Sequence, residues 1–205
     1  MTVPKITPTI TLRGVPVWQG YLSPGAQRAM LSDLREVVRA APFYSPVTRA
    51  GPMSVQMTAA GRFGWFADRR GYRYVERHPD GGPWPPIPDS VLAVWRALAE
   101  CPRDPECCLV NLYRESARMG LHQDRDEADF TCPVLSISLG DDGLFRVGNV
   151  ERGGKTESLW LKSGDVALLT GPSRLAHHGI DRIRPGTSGL LDRGGRINLT
   201  LRVVT

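Results

Sequence analysis

Arg196-Ile197-Asn198-Leu199-Thr200-Leu201-Arg202 reads as a strand with two unlike faces. Side chains alternate along an extended backbone, so Arg196, Asn198, Thr200 and Arg202 share one face, and Ile197, Leu199, Leu201 and Val203 share the other. Such alternation ordinarily turns the polar face to water. A jelly roll permits the reverse, with the polar face lining a cavity and the apolar face packed beneath helices. In that setting a buried arginine needs a carboxylate partner, and a bound dicarboxylic acid would supply one.

The segments before this strand carry similar signals. Val134-Leu-Ser-Ile-Ser-Leu139 alternates, with Ser136 and Ser138 opposite Leu135, Ile137 and Leu139. Val166 to Thr170 is a short apolar run after the turn signal Ser163-Gly-Asp165. The strand Leu109 to Arg114 puts Asn111 and Tyr113 on one face. Short strands spaced by turns indicate a sandwich, jelly roll or barrel. Upstream, Tyr21 to Ala41 is expected to be a helix with Ser23 as N-cap and Pro24 at its first position, ended by Pro42. Met30, Leu34, Val37, Val38 and Ala41 keep its helical spacing. A second helix is expected from about Asp89 to Glu100, with Val91, Val94, Trp95 and Leu98 on one face and Pro102 beyond it. Between the helices, Ser45 to Pro88 is rich in Gly, aromatics and Arg. The run Gly81-Gly-Pro-Trp-Pro-Pro-Ile-Pro88 fits neither a central strand nor a helix interior. This region reads as short strands and loops laid across a surface, with His78, just before Pro79, exposed.

His122 and Asp124 stand at i and i+2, so on a strand both side chains point the same way. A neutral nitrogen and a hard oxygen suit Fe(II) better than thiolate-seeking metals. Taken alone, His-x-Asp is a frequent coincidence. The histidines are His78, His122, His177 and His178, so the third ligand has few candidates, of which His178 is the leading one. His177 and His178 are adjacent and point to opposite faces of a strand, so one ligates easily and the other does not. Two imidazoles and one carboxylate on one face of an octahedral iron leave the opposite face open for a co-substrate and O₂. A keto dicarboxylate can chelate that metal at one end. Its distal carboxylate then calls for a fixed bidentate cation, Arg196 or Arg202, with Asn198 and Thr200 alongside and Asn111 and Tyr113 as neutral donors.

Bulk composition sets the remaining bounds. The 205 residues carry a net charge of +5 with 41% hydrophobic and 23% charged residues, enough for a sizeable core and compatible with a phosphate-bearing partner. Lys5, Lys155 and Lys162 are the only lysines, which leaves 23 arginines. Both a GC-rich genome and bidentate phosphate recognition account for that bias. Cys101, Cys107, Cys108 and Cys132 form no C-x-x-C pair, so no zinc ribbon is indicated, and the chain is too large and cysteine-poor to need disulfide staples. The stretch Met1 to Gln19 lacks a basic start and a continuous apolar run. A cytoplasmic, reducing location with no membrane segment is expected, where Fe(II) is retained.

These motifs, in this order, resemble the AlkB family of Fe(II)- and 2-oxoglutarate-dependent nucleic-acid dealkylating dioxygenases, most nearly its bacterial DNA-repair members. The resemblance rests on Asn111-Leu-Tyr113, Leu121-His-Gln-Asp-Arg-Asp-Glu127, Arg174-Leu-Ala-His-His-Gly-Ile180 and Arg196-Ile-Asn-Leu-Thr-Leu-Arg202. Met53-Ser-Val-Gln-Met-Thr58, Gly64-Trp65, Gly71-Tyr-Arg-Tyr74 and Trp84-Pro-Pro-Ile-Pro88 extend it from about residue 21 to the C-terminus. It implies a mainly β double-stranded β-helix (jelly roll) with flanking N-terminal helices and a substrate-recognition lid. The single dioxygenase domain 1–205 would comprise a helical part to about residue 44, a lid and helix over about 45–107, and a catalytic core over about 108–205. His122, Asp124 and His178 would hold Fe(II). Asn111, Tyr113, Arg196, Asn198 and Arg202 would hold 2-oxoglutarate, with O₂ as the other co-substrate. Trp65 would stack on the damaged base with His122 on its other face, Asp126 would meet its exocyclic group, and Tyr72 and Arg152 would belong to the substrate contacts. In near relatives the residue before the third ligand is often aromatic; here it is His177. The implied reaction is oxidative demethylation of N1-methyladenine and N3-methylcytosine, releasing formaldehyde, succinate and CO₂. The implied partner is single-stranded or base-flipped DNA, or RNA, met by a monomer. A protein or small-molecule hydroxylase, or a non-catalytic nucleic-acid-binding module, are the rival readings.

Overall fold

The alternation of the last strand recurs in its two neighbours, and the three together form a wall with one apolar and one polar face. The computed structural model describes residues 6–48 and 51–205. The first half of the chain runs through β1 (Ile10–Leu12), β2 (Val15–Trp18), α1 (Pro24–Ala40), β3 (Val47–Thr48), β4 (Gly51–Pro52), β5 (Gln56–Gly61), β6 (Gly64–Asp68), β7 (Gly71–Val75) and α2 (Asp89–Leu98). The second half contributes β8 (Cys107–Tyr113), β9 (Met119–His122), β10 (Val134–Gly140), β11 (Asp142–Val147), β12 (Glu157–Leu161), β13 (Val166–Leu169), β14 (His178–Arg184) and β15 (Arg196–Arg202). A seven-stranded sheet, β1-β2-β13-β10-β15-β8-β5, faces a four-stranded sheet, β12-β11-β14-β9, and both are antiparallel jelly-roll faces.

β15 lies between β10 and β8, with Asn198 opposite both Ser138 and Asn111, and Arg196 opposite Tyr113. Polar side chains from three strands therefore fall in rows on the inner face. On the outer face, Val110, Leu112, Ile137, Leu139, Leu199 and Leu201 pack with Met30, Leu34 and Val37 of α1 and with Val91, Val94, Trp95 and Leu98 of α2. Each such aliphatic side chain contributes about 1.5–3 kcal/mol on burial. Every residue of β15 is buried, so its polar face lines the interior and not the solvent.

Ser23 caps α1, its Oγ accepting from the Ala26 N–H at 3.2 Å. α2 stops at Leu98, two residues before the expected end, because Glu100 takes a left-handed φ of 48° and Pro102 follows. Three further expectations are corrected. The N-terminal part is not only helical, since β1 and β2 extend the larger sheet, with Val17 paired to Ala167. β5 pairs with β8 and so belongs to the core sheet, which leaves the β3–β4 and β6–β7 hairpins as the overlying segment. His78 is buried at 5% exposure, with Nε2 2.9 Å from the Pro42 carbonyl and its ring edge-on to Tyr44 and Trp84. The turn into Pro79 folds the imidazole inward, where the Asp80 N–H donates to Nδ1. Among the described residues no helix is long and apolar enough to cross a membrane. The expectation about a leader lies in part on residues 1–5, outside the described residues, as do positions 49–50 of the aromatic segment.

Candidate active site

His122 ends β9, His178 begins β14, and the two are register partners. Asp124 follows two residues after the first. One ligand atom from each of the three lies within 4.8 Å of the others. Nδ1 of His122 is 2.9 Å from the Gly120 carbonyl, and Nδ1 of His178 is 3.0 Å from the Ala176 carbonyl. Each ring thus commits its Nδ1–H to the backbone two residues earlier and presents an Nε2 lone pair to the site. Those Nε2 atoms lie 3.7 and 3.6 Å from Oδ1 and Oδ2 of Asp124. Burial, reinforced by His178, lowers the His122 pKa to about 4, so its imidazole is neutral at physiological pH. Burial works against the charge on Asp124, but the Arg202 guanidinium and the two imidazoles hold its carboxyl well below the usual range. Asp124 Oδ2 is buried and accepts no hydrogen bond. Two imidazole lone pairs and an unsatisfied carboxylate oxygen converging on one point are costly without a cation. The donor set fits Fe(II) on that ground.

Around the triad lies a cavity of about 320 Å³. Asn111, Tyr113, Asn198 and Arg202 line it, and so do Trp65, Tyr72, His122, Asp124, Asp126 and His178. Arg196 sits behind this wall, fully buried. Its Nη2 donates to Ser138 Oγ at 2.7 Å, its Nη1 reaches the Asp141 and Leu161 carbonyls at 3.5 and 3.4 Å, and its Nε has no partner. Burial lowers this guanidinium to a pKa of about 10. Among the described residues it makes no ion pair, and Asn111 Oδ1 is likewise buried without a partner. A buried cation lacking an anion, on the same inner face as the unpartnered Asn111 Oδ1, suits a dicarboxylate co-substrate. Gly143 allows the arrangement, because a Cβ there would meet Arg196 Nε at 2.7 Å.

Arg202 plays a different part. Its Nη2 donates to Asp124 Oδ1 at 2.7 Å, its Nη1 to the Tyr74 hydroxyl at 3.2 Å, and its Nε lies 3.5 Å from Glu127 Oε1. Tyr74 also donates to Glu127. Arg174 closes the network, pairing with Glu127 Oε2 at 3.0 Å and donating to the carbonyls of Asp124 and Cys132 at 2.7 and 2.8 Å. Glu127, Arg174 and Tyr74 stand within the sequence motifs, but nothing in their spacing assigns them a role. Gln123 was missed as well; its amide donates to the carbonyls of Val150 and Leu175 at 2.9 and 2.6 Å, tying the ligand segment to the approach to His178.

At the mouth, Trp65 of β6 stacks on Tyr72 of β7, with centroids 5.1 Å apart and planes at 21°. Trp65 Nε1 donates to Asp126 Oδ2 at 3.0 Å. His177 Nδ1 is 3.0 Å from the Asn149 carbonyl, and this imidazole is outside the triad. Arg152 lies on the exposed turn between β11 and β12 and does not line the cavity.

Residues 14–202 match the 2OG-Fe(II) oxygenase superfamily. The chain is 56% identical over 197 residues to the alpha-ketoglutarate-dependent dioxygenase AlkB homolog of Caulobacter vibrioides (strain NA1000 / CB15N), spanning 95% of this chain and 90% of that protein. It is 36% identical over 202 residues to the alpha-ketoglutarate-dependent dioxygenase AlkB of Escherichia coli (strain K12), spanning 90% and 93%. Among solved structures, that of OsALKBH1 superposes with a TM-score of 0.78 at 32% identity, over 93% of this chain and 96% of the other.

Proposed function

The chain belongs to the AlkB family and is an Fe(II)- and 2-oxoglutarate-dependent dioxygenase, and from that premise we propose that it demethylates N1-methyladenine and N3-methylcytosine in DNA, preferring single strands. The observation that carries this reading is the Trp65–Asp126 pair at the cavity mouth. An indole face and a carboxylate, held together a short way from the triad, are what a flat cationic base with an exocyclic amine requires. Stacking on Trp65 is worth roughly 1–3 kcal/mol. Asp126 accepts from the amine and offsets the positive charge that alkylation puts on the ring. A paired base cannot reach a cavity of this depth without leaving its stack, so single-stranded or flipped substrate enters first.

His122, Asp124 and His178 hold the iron. Bound Fe(II), with 2-oxoglutarate and O₂, supplies hydroxylation of the N-methyl carbon; the co-substrate leaves as succinate and CO₂, and the hydroxymethyl base collapses to formaldehyde and the repaired base. Arg202 fixes the Asp124 carboxylate through Oδ1, leaving Oδ2 turned to His178. Arg196 holds the distal carboxylate of the co-substrate, and Asn111, Tyr113 and Asn198 align its length. Tyr72 braces the base-stacking indole, and Arg152 meets the nucleic-acid backbone from its exposed turn. The chain acts as one domain and as a monomer, in the cytoplasm. RNA bearing the same bases is a second substrate.

Mass spectrometry of methylated oligonucleotides, with formaldehyde and succinate measured together, tests the proposal. Equimolar loss of methyl and gain of both products supports it. Consumption of 2-oxoglutarate with both lesions intact would transfer the site to a protein or small-molecule substrate.

A further inference from the structure

Cys101 and Cys132 lie outside the chemistry above, yet their sulfurs are 3.4 Å apart. Cys101, partly exposed, follows α2, and Cys132, buried, stands in the turn before β10. The other two cysteines are poorly placed to compete. Cys107 and Cys108 are buried in β8 and, as neighbours on a strand, project to opposite faces of it. A disulfide needs a sulfur separation of about 2.0 Å. Both cysteines lie on connecting segments outside the strands.

We propose that Cys101 and Cys132 form a peroxide-responsive disulfide site that staples together the two ends of the segment carrying His122 and Asp124. Hydrogen peroxide meets Cys101 first, because Cys101 is the more accessible sulfur. Its thiolate displaces hydroxide from the peroxide, giving a sulfenic acid, and the hydroxide takes up the thiol proton as water. Cys132 Sγ then attacks the sulfenic sulfur; the S–S bond forms and the S–O bond breaks. The Cys132 proton has an acceptor at Asp129 Oδ2, 3.7 Å away, and passes to the departing hydroxide, which leaves as a second water. The dithiol gives up two electrons and one peroxide is reduced.

What the staple would hold is specific to this fold. Between the two cysteines lie all of β8 and β9, with Asn111, Tyr113, His122 and Asp124. The Cys132 carbonyl accepts from Arg174, which also donates to the Asp124 carbonyl. Closing this loop restricts the unfolded chain and so stabilises the segment whether or not metal is bound. Oxidising conditions that strip or oxidise Fe(II) are the conditions in which the three ligands lose their cation.

The test uses the full chain, metal-free and fully reduced, treated with a small molar excess of hydrogen peroxide and digested without reductant. The expected product is a linked peptide pair containing Cys101 and Cys132, two hydrogens lighter than the free peptides. The oxidised protein should melt several degrees higher than the reduced one, and dithiothreitol should reverse both changes. Cys101→Ser, at the partly exposed position, should fold normally and show neither change; Cys132→Ser serves as the second control. Sulfinic acid at Cys101 without a cross-link, or linkage to other partners, would overturn the site. A Cys101–Cys132 link with no rise in melting temperature would overturn the staple.

Discussion

Asp124 meets two demands at once, accepting from Arg202 through Oδ1, which His122 also faces, and turning Oδ2 to His178. That division makes the ligand set testable residue by residue. His178 presents Nε2 to Asp124, whereas the His177 ring is tied to Asn149 through Nδ1 and stands outside the triad. His178→Ala should abolish Fe(II) binding in an anaerobic titration, and His177→Ala should leave it intact; iron retained without His178 but lost without His177 would reverse the assignment. Arg196→Ala should weaken 2-oxoglutarate binding by roughly 10- to 150-fold for each charged hydrogen bond removed, at about 1.5–3 kcal/mol apiece. Metal affinity should stay unchanged, and equal co-substrate affinity in wild type and variant would exclude Arg196 as its anchor. The metal triad was legible in the sequence because histidines are few and His-x-Asp spacing suits two ligands of one ion, although β9 ends at His122 and Asp124 lies just beyond it. The division of labour between the two arginines was not legible. Alternation puts both on one face, but only depth shows that Arg202 already has carboxylate partners in Asp124 and Glu127 while Arg196 has none among the described residues.

Elements that bury a continuous apolar face announced themselves, and elements that work by edge pairing did not. α1, α2, β10 and β15 each show an unbroken period of the right length. β1 and β2 have three and four residues, and β2 contains Pro16; too few positions remain for a period to emerge, and their place is set by pairing of β2 with β13 and of β1 with β2. β5 lies within the Gly-, aromatic- and Arg-rich segment in sequence, although its neighbour in space is β8. The packing between β15 and the helices gives an element-scale prediction. Leu199 is fully buried there, so Leu199→Ala should cost about 2–5 kcal/mol in denaturant unfolding. Ser23→Ala, which removes only a cap, should cost about 0.5–2 kcal/mol; a larger loss at Ser23 than at Leu199 would mean that the helices do not derive their stability from this wall. The β6–β7 hairpin makes the opposite kind of prediction. Trp65→Ala should raise the KM for a methylated oligonucleotide several-fold and leave 2-oxoglutarate and iron binding alone, since Trp65 meets neither Arg196 nor the donor atoms of the triad. An unchanged KM would remove the indole from substrate recognition.

Across the whole molecule, the two sheets are joined at the site by charges whose partners are incomplete. β9 and β14 of the smaller sheet bring the histidines, and β15 of the larger sheet brings Arg196 and Arg202. A metal bound to the triad and a dicarboxylate reaching Arg196 would bridge the sheets, so ligands should contribute to stability in a fixed order. A divalent cation that binds only the folded chain stabilises it by about 2.7 kcal/mol at a hundred times its Kd. Mn(II) is a suitable probe, because it favours nitrogen and oxygen donors. 2-Oxoglutarate alone finds Arg196 but lacks the metal for its keto-acid end, so it should raise the melting temperature little. With Mn(II) present both ends are engaged, and the combined rise should exceed the sum of the separate ones. Asp124→Asn retains the shape of the side chain but removes the negative charge that the metal and Arg202 share, so the cation and the cooperative increment should both be lost in that variant. Thermal melts of the apo protein with each ligand and with both decide the matter. If 2-oxoglutarate stabilises the metal-free chain as much as the metal-loaded one, its binding does not run through the triad, and the bridge between the sheets is not built as described.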